Sequence, residues 1–294
     1  MNSLKKIVIT GASGFLGNRL VERLKNDGKY KVYALSSKPE LLREKIGGEN
    51  VVYCHKDELN AENMENAIIV NCAYPRNSTG ITIADGLKYI QKVVEAAVEN
   101  RAIGIINISS QSVYSQQRTA IATEETPVSL ESPYAVGKYA VELMVESICK
   151  GSGTVYTNLR LASLIGPGFN QRIVNRFAMN LIAQEPITIV RQPKKMGFLD
   201  VEDAVSAVLA VTKKEASSWQ TVYNVGNGKG YTIEEIYIAV ESALKTRIAD
   251  VSPIFENGFD VSTTAVSFEQ LHKDTGFVPT IDLNESVKRI VSQM

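Results

Sequence analysis

Over roughly the first half of the chain, short apolar runs alternate with longer amphipathic segments, the pattern of a parallel sheet flanked by helices. The runs are Lys5–Thr10, Lys31–Leu35, Asn50–Cys54, Ala67–Ala73, Ile103–Ser109 and Val155–Leu161. Between them, Gly17–Gly28 and Ile83–Asn100 carry apolar residues at helical spacing. A third helix is predicted from "SPYAVGKYAVELMVESICKG", with Ser132 as N-cap, Pro133 in the first helical position and a stop near Gly151.

After Leu164–Asn170 the alternation weakens. Predicted there are a helix over Val174–Ala183, a strand over Pro186–Val190, a helix over Val201–Thr212 and a strand within Thr221–Gly228. Thr232 and Glu235 form a capping box that opens another helix, and a short helix closes the chain. The expected fold class is therefore α/β: a Rossmann-type doubly wound parallel sheet with a smaller α+β C-terminal substrate lobe. The expected boundaries are 1–165 for the Rossmann-type domain, with 198–228 partly returning to it, and 166–197 with 229–294 for the smaller lobe.

Composition narrows the function classes. Lys+Arg and Asp+Glu balance at 32 each in 294 residues, so no global basic field attracts nucleic acid or an anionic membrane. Three cysteines and two histidines without close spacing build neither a disulfide framework nor a zinc cluster, so no metal is expected. Reduced thiols and the absence of a signal-like or membrane-length apolar stretch lead to an expected cytoplasmic location.

"TGASGFLG", Thr10–Gly17, follows the first strand and opens the first helix, the context that a dinucleotide fingerprint requires. Gly11 permits the tight turn, Gly14 lets the backbone approach a pyrophosphate, and Gly17 allows helix and strand to pack closely. A carboxylate is the usual ribose ligand about 20 residues further on. Here Ser36, Ser37 and Lys38 stand at the end of the second strand, a set that favours the 2′-phosphate of NADP over NAD. Asp57, after the third strand, is a candidate adenine contact.

Tyr134 and Lys138 are four residues apart and share one helix face. An ammonium and a helix N-terminus both stabilise a phenolate, which fits Tyr134 to move an alcohol proton while a nicotinamide exchanges hydride. Ser109 and Ser110 end the fifth strand, at the carboxyl edge where open α/β sheets place ligands.

These residues resemble the extended short-chain dehydrogenases/reductases, in particular the NAD-dependent epimerase/dehydratase branch and its UDP-sugar 4-epimerases. "TGASGFLG" is similar to the family's TGxxGxxG, "SPYAVGK" to its YxxxK segment and "SSQSVY" to its serine motif. "LRLASLIGPG", "FLDVEDAVSAV" and "YNVGNGKGYTIEEI" resemble the stretches that enter, leave and follow the substrate lobe. The resemblance implies Tyr134 as acid/base, Lys138 as its partner and ribose ligand, and Ser110, four residues before Tyr114, as the hydroxyl contact. It implies Gly11, Ser13, Gly14, Phe15, Leu16, Gly17 and Ala73 as further cofactor residues, and Ser110, Ser163, Arg172, Arg176 and Lys195 at the substrate. A homodimer is implied as well.

In sugar-nucleotide epimerases an arginine stands shortly before the "FLDVED"-like stretch; Met196 occupies that place here, beside Lys194 and Lys195. In dehydratases of this kind an Asp-Glu pair follows the serine position; Gln111 and Ser112 stand there here. The leading expectation is an NAD(P)-dependent sugar-nucleotide epimerase working through a transient keto-sugar. The alternative is an NADPH-dependent reductase of a keto-sugar or another small carbonyl compound, which Ser36–Lys38 and the missing arginine favour.

Overall fold

In a computed structural model of the chain, the residues described are 4–75, 79–169, 173–244 and 253–294. The N-terminal half runs β1 (Lys5–Thr10), α1 (Phe15–Leu24), β2 (Tyr30–Ser36), α2 (Pro39–Ile46), β3 (Val51–His55), α3 (Ala61–Met64), β4 (Ala67–Asn71), α4 (Gly80–Glu99), β5 (Gly104–Ser110), α5 (Pro133–Cys149) and β6 (Val155–Leu161). There follow β7 (Ser163–Ile165), α6 (Ile173–Ile182), β8 (Thr188–Arg191), β9 (Phe198–Asp200), α7 (Val201–Thr212), β10 (Val222–Val225), α8 (Ile233–Leu244), β11 (Ile254–Asn257), α9 (Glu269–Thr275) and α10 (Leu283–Val291).

Seven strands form one sheet in the order β10-β6-β5-β4-β1-β2-β3. Strands β1 and β2, β2 and β3, β1 and β4, and β4 and β5 pair in parallel. The order reverses between β1 and β4, which is the switch point where doubly wound sheets open a ligand crevice. The interior strands are buried on both faces, so β1 and β4 read as continuous apolar runs instead of alternating ones.

A polar ladder crosses this apolar sheet. Thr10 Oγ1 donates to Asn71 Oδ1 (2.8 Å), Asn71 Nδ2 to Asn107 Oδ1 (3.0 Å) and Asn107 Nδ2 to Asn158 Oδ1 (2.8 Å), all buried. Asn158 Nδ2 passes the chain on to the Thr221 carbonyl. Thr10, Asn71 and Asn107 are register partners on β1, β4 and β5. A slip of one residue would turn these amides to the opposite face and strand them without partners, so the ladder specifies the register that carries the strand ends to the site.

The chain divides into two compact units, Met1–Val113 with Leu130–Arg160 and Val205–Tyr223, and Tyr114–Ser129 with Leu161–Ala204 and Asn224–Met294. The expected boundary at 165 thus differs from the observed division, which assigns Tyr114–Ser129 to the second unit. That segment has no periodicity to advertise its place. It is held by an antiparallel bridge of Tyr114 to Val128, a parallel bridge of Ala122 to Val266, and the Tyr114 hydroxyl on Asn224 Oδ1 (2.8 Å). The second unit buries Phe177, Leu181, Ile189, Ile236 and Val287 in its own core, beside parallel pairs of β8 with β11 and β7 with β9.

Candidate active site

The loop after β1 follows from its glycines. Gly11 adopts φ +62°, and a Cβ there would meet the backbone of Ala73 at 2.8 Å. A Cβ on Gly17 would overlap the Gly11 carbonyl oxygen. Both positions therefore need glycine, one for conformation and one for close approach. Gly14 is the N-cap of α1 and offers no side-chain cap, so the first N–H groups of α1 stay available to an anion. Ser13 is exposed, Phe15 half-buried and Leu16 packed into the core.

Beside this loop lies a depression of about 210 Å³ lined by Ser13, Asn18, Ser36, Ser37, Lys38 and Lys45, among others. Asn18 Nδ2 is buried there without a hydrogen-bond partner. Two ammonium groups, an orphaned amide donor and an uncapped helix start fit the anionic, hydroxyl-rich adenosine end of a dinucleotide. Ser36 Oγ accepts from the Lys38 backbone N–H (3.1 Å), which shapes the turn that presents Lys38. Asp57 is exposed and paired with Lys56 (3.1 Å), in the segment where the Lys56 N–H meets the Ser36 carbonyl.

Helix α5 starts as its sequence predicts. Ser132 Oγ accepts from the Ala135 N–H (3.1 Å) and Pro133 opens the helix. Tyr134 is half-buried in the first turn, and Lys138, one turn on, is only 7% exposed. The ammonium donates to the Ile108 carbonyl of β5 (2.8 Å), lies 4.2 Å from the Tyr74 ring centre and 6.0 Å from that of Tyr134. Burial draws its pKa down from the usual 10.5 to about 8, and its electrostatic interactions with Cys72 and Glu142 oppose that shift. Lys138 is therefore mostly charged at neutral pH. Burial also pushes the Cys72 thiol up to about 12, which keeps it neutral despite the ammonium nearby.

Ser110 ends β5, half-buried, and its Oγ accepts from the N–H and the hydroxyl of Ser112 (3.2 and 3.0 Å). Its neighbour Ser109 points elsewhere: its hydroxyl donates to Glu142 in a short bond, and Glu142 takes a bidentate pair from Arg160 of β6 (2.6 and 3.0 Å). Ser109, Glu142 and Arg160 thus fasten β5, α5 and β6 together. Sequence reasoning missed this triad and also Tyr74, whose ring stands edge-on to Tyr134 with centres 5.4 Å apart. Glu142 alone offered a signal, a carboxylate four residues after Lys138 on the same helix face.

Of the expected substrate residues, Ser110 lies in the first unit and Ser163, Arg176 and Lys195 in the second. Ser163 is half-buried on β7, Lys195 is exposed, and Arg176 is exposed on α6; Arg172 falls outside the described residues. Lys195 lines a depression of about 610 Å³ together with Thr119, Lys229, Tyr231 and Thr263. Lys194 is engaged by Asp260 (2.7 Å), whereas Met196 packs against the apolar core and exchanges backbone hydrogen bonds with Tyr231.

The sheet order, switch point and glycine loop define a dinucleotide-binding α/β protein of the Rossmann type. More narrowly, the chain belongs to the NAD dependent epimerase/dehydratase family, whose profile matches residues 7–226. Protein CapI of Staphylococcus aureus is 24% identical, over 97% of each chain. The UDP-glucuronic acid 4-epimerase of Bacillus cereus, solved with UDP-glucuronic acid and NAD, superposes with a TM-score of 0.82 at 20% identity, over 98% of both chains. An NAD-dependent NDP-hexosamine 5,6-dehydratase of tunicamycin biosynthesis superposes at 0.80 with 18% identity, over 98% of this chain and 97% of its own. The last two likenesses establish the fold. No described helix is long and apolar enough to cross a membrane.

Proposed function

We propose that this chain is an NAD(P)-dependent sugar-nucleotide epimerase that works through a transient keto-sugar. The observation that carries the reading is the joint placement of Tyr134, a buried charged Lys138 and Ser110 at the end of β5, in one compact unit with the uncapped glycine loop. The bound nicotinamide supplies hydride acceptance and return at the sugar carbon. Tyr134 Oη takes the proton of the reacting hydroxyl and gives it back, while the Lys138 ammonium supplies the positive charge beside it. Ser110 Oγ orients the same oxygen. Gln111 and Ser112 put no carboxylate next to Ser110, which speaks against dehydration.

The second unit serves as the substrate lobe in this reading. Lys195 and Arg176 meet the nucleotide diphosphate, with Lys195 as a point charge in place of a bidentate arginine. Val136 and Leu143, each about half exposed and seven residues apart on α5, support a homodimer through that helix. The fitting experiment is Tyr134→Phe assayed on UDP-glucose and UDP-glucuronic acid: epimerisation is lost while dinucleotide binding persists. Full activity in Tyr134→Phe would overturn the assignment.

The reductase alternative draws support from Lys38 and Lys45 in the adenosine-end depression, which favour a 2′-phosphate. A thermal-shift comparison decides the cofactor: NADP is expected to raise Tm more than NAD at equal concentration. Nicotinamide retained through purification marks the epimerase; an empty protein that turns over added NADPH marks the reductase.

A further inference from the structure

The segment after β4 carries a tyrosine that neither the glycine loop nor the Tyr134–Lys138 pair accounts for. The Tyr74 ring faces the Lys138 ammonium at 4.2 Å and meets Tyr134 edge-on at 5.4 Å. Its hydroxyl is buried with no hydrogen-bond partner, which is costly for a phenol. The hydroxyl sits against Gly137, where a Cβ would overlap it, while the ring carbon that bears the hydroxyl would lie 3.3 Å from that Cβ. Gly137 is on α5 directly before Lys138, so the helix leaves a notch at the one place where the phenol needs room.

We propose that Tyr74 is a positioning residue: its ring, keyed into the Gly137 notch, caps the Lys138 ammonium by a cation–π contact and holds it charged beside Tyr134. The inference rests on the reading of Lys138 as the partner of Tyr134. A desolvated ammonium over an aromatic face gains more than an exposed one, because water no longer competes for the charge. The other groups facing Lys138 leave it short of countercharge. From the segment after β4 come Tyr74 and Cys72, both kept neutral by burial; from α5 come Tyr134 and Glu142; β5 contributes the Ile108 carbonyl. Glu142 is itself occupied by Arg160 and Ser109. Beyond the Ile108 carbonyl at 2.8 Å, the Tyr74 and Tyr134 rings favour the cation without carrying a charge, and the Tyr74 ring, at 4.2 Å against 6.0 Å, is the nearer of the two.

The test needs neither substrate nor cofactor, so its failure is separate from failure of the epimerase reading. The side-chain nitrogen of Lys138 is titrated by NMR in the purified full chain, with Lys138→Met to assign the signal. Tyr74→Leu keeps an apolar neighbour but removes the quadrupole, and should lower the protonation constant of Lys138 about tenfold. Tyr74→Phe keeps the ring and should hold it within a factor of about two. Gly137→Ala, which evicts the phenol, should reproduce Tyr74→Leu, and adding Tyr74→Phe to Gly137→Ala should restore the titration. An unchanged titration in both Tyr74→Leu and Gly137→Ala, or a fall in Tyr74→Phe as large as in Tyr74→Leu, would overturn the proposal.

Discussion

The candidate site residues of the two compact units carry charge in opposite ways, although the second unit also buries Asp200 and Asp203, held by Arg289 and Thr280. In the first, Lys138, Glu142 and Arg160 are all buried, and each is held by a specific partner on a neighbouring strand or helix. In the second, the candidate cations Arg176 and Lys195 stand exposed, and the Lys194–Asp260 pair is part-exposed. Buried charges demand fixed partners, since a low-dielectric interior punishes any that is left alone. Exposed cations leave water to do that work and can follow ligands of different shape. Proton transfer needs the first arrangement, because geometry must be set before the reaction starts. Recognition of a flexible diphosphate tolerates the second.

Arg160→Met should break the contrast most severely. It strands the Glu142 carboxylate in the interior and should cost about 3–5 kcal/mol in urea denaturation, much of which Glu142→Leu in the same chain restores. Asp260→Asn, its counterpart in the second unit, should lower the denaturation midpoint only slightly, because that pair is part-exposed and water screens it.

Lys138 gives the next effect, through pH. Its folded pKa, about 8, lies below the usual 10.5, so between these values the unfolded chain binds more protons and stability rises with pH. Denaturation profiles should show the wild type gaining roughly 3 kcal/mol on Lys138→Met between pH 8 and 10.5, with a constant difference below pH 7. A parallel pair of profiles across that window would show that burial does not depress the Lys138 pKa.

Asn107→Leu cuts the sheet ladder in the middle and leaves Asn71 and Asn158 each lacking one bond. A loss of about 2 kcal/mol is expected, with slower amide exchange lost first along β4 and β5. The smallest effect belongs to the second unit: Lys195→Ala should raise KM for a UDP-sugar by roughly threefold to tenfold with kcat unchanged, the signature of uniform binding.

Strands β1 to β6 were legible as short apolar runs between longer segments, and helices α1, α4, α5 and α7 as segments long enough for helical spacing or end signals to show. Helix α7 was read to the residue. Helices α2 and α3, of eight and four residues, and strands β7, β9 and β11, of three or four, are too short to show a period. The segment 114–129 joins the second unit through contacts with residues more than a hundred positions away, such as Asn224, and nothing local announces them.

By itself the sequence determined the order of the longer elements, the glycine loop, and the pairing of Tyr134 with Lys138 on one helix face, since all of these depend on neighbours within one turn or one strand. Only the tertiary structure decided how Lys138 is held. The Ile108 carbonyl, the Tyr74 ring and Arg160, which engages Glu142, come from three other parts of the chain, and their effect on the ammonium depends on burial that no local spacing encodes. The asparagine ladder has the same origin: each amide was visible as a polar residue in an apolar strand, but its partner was chosen by the order of strands in the sheet.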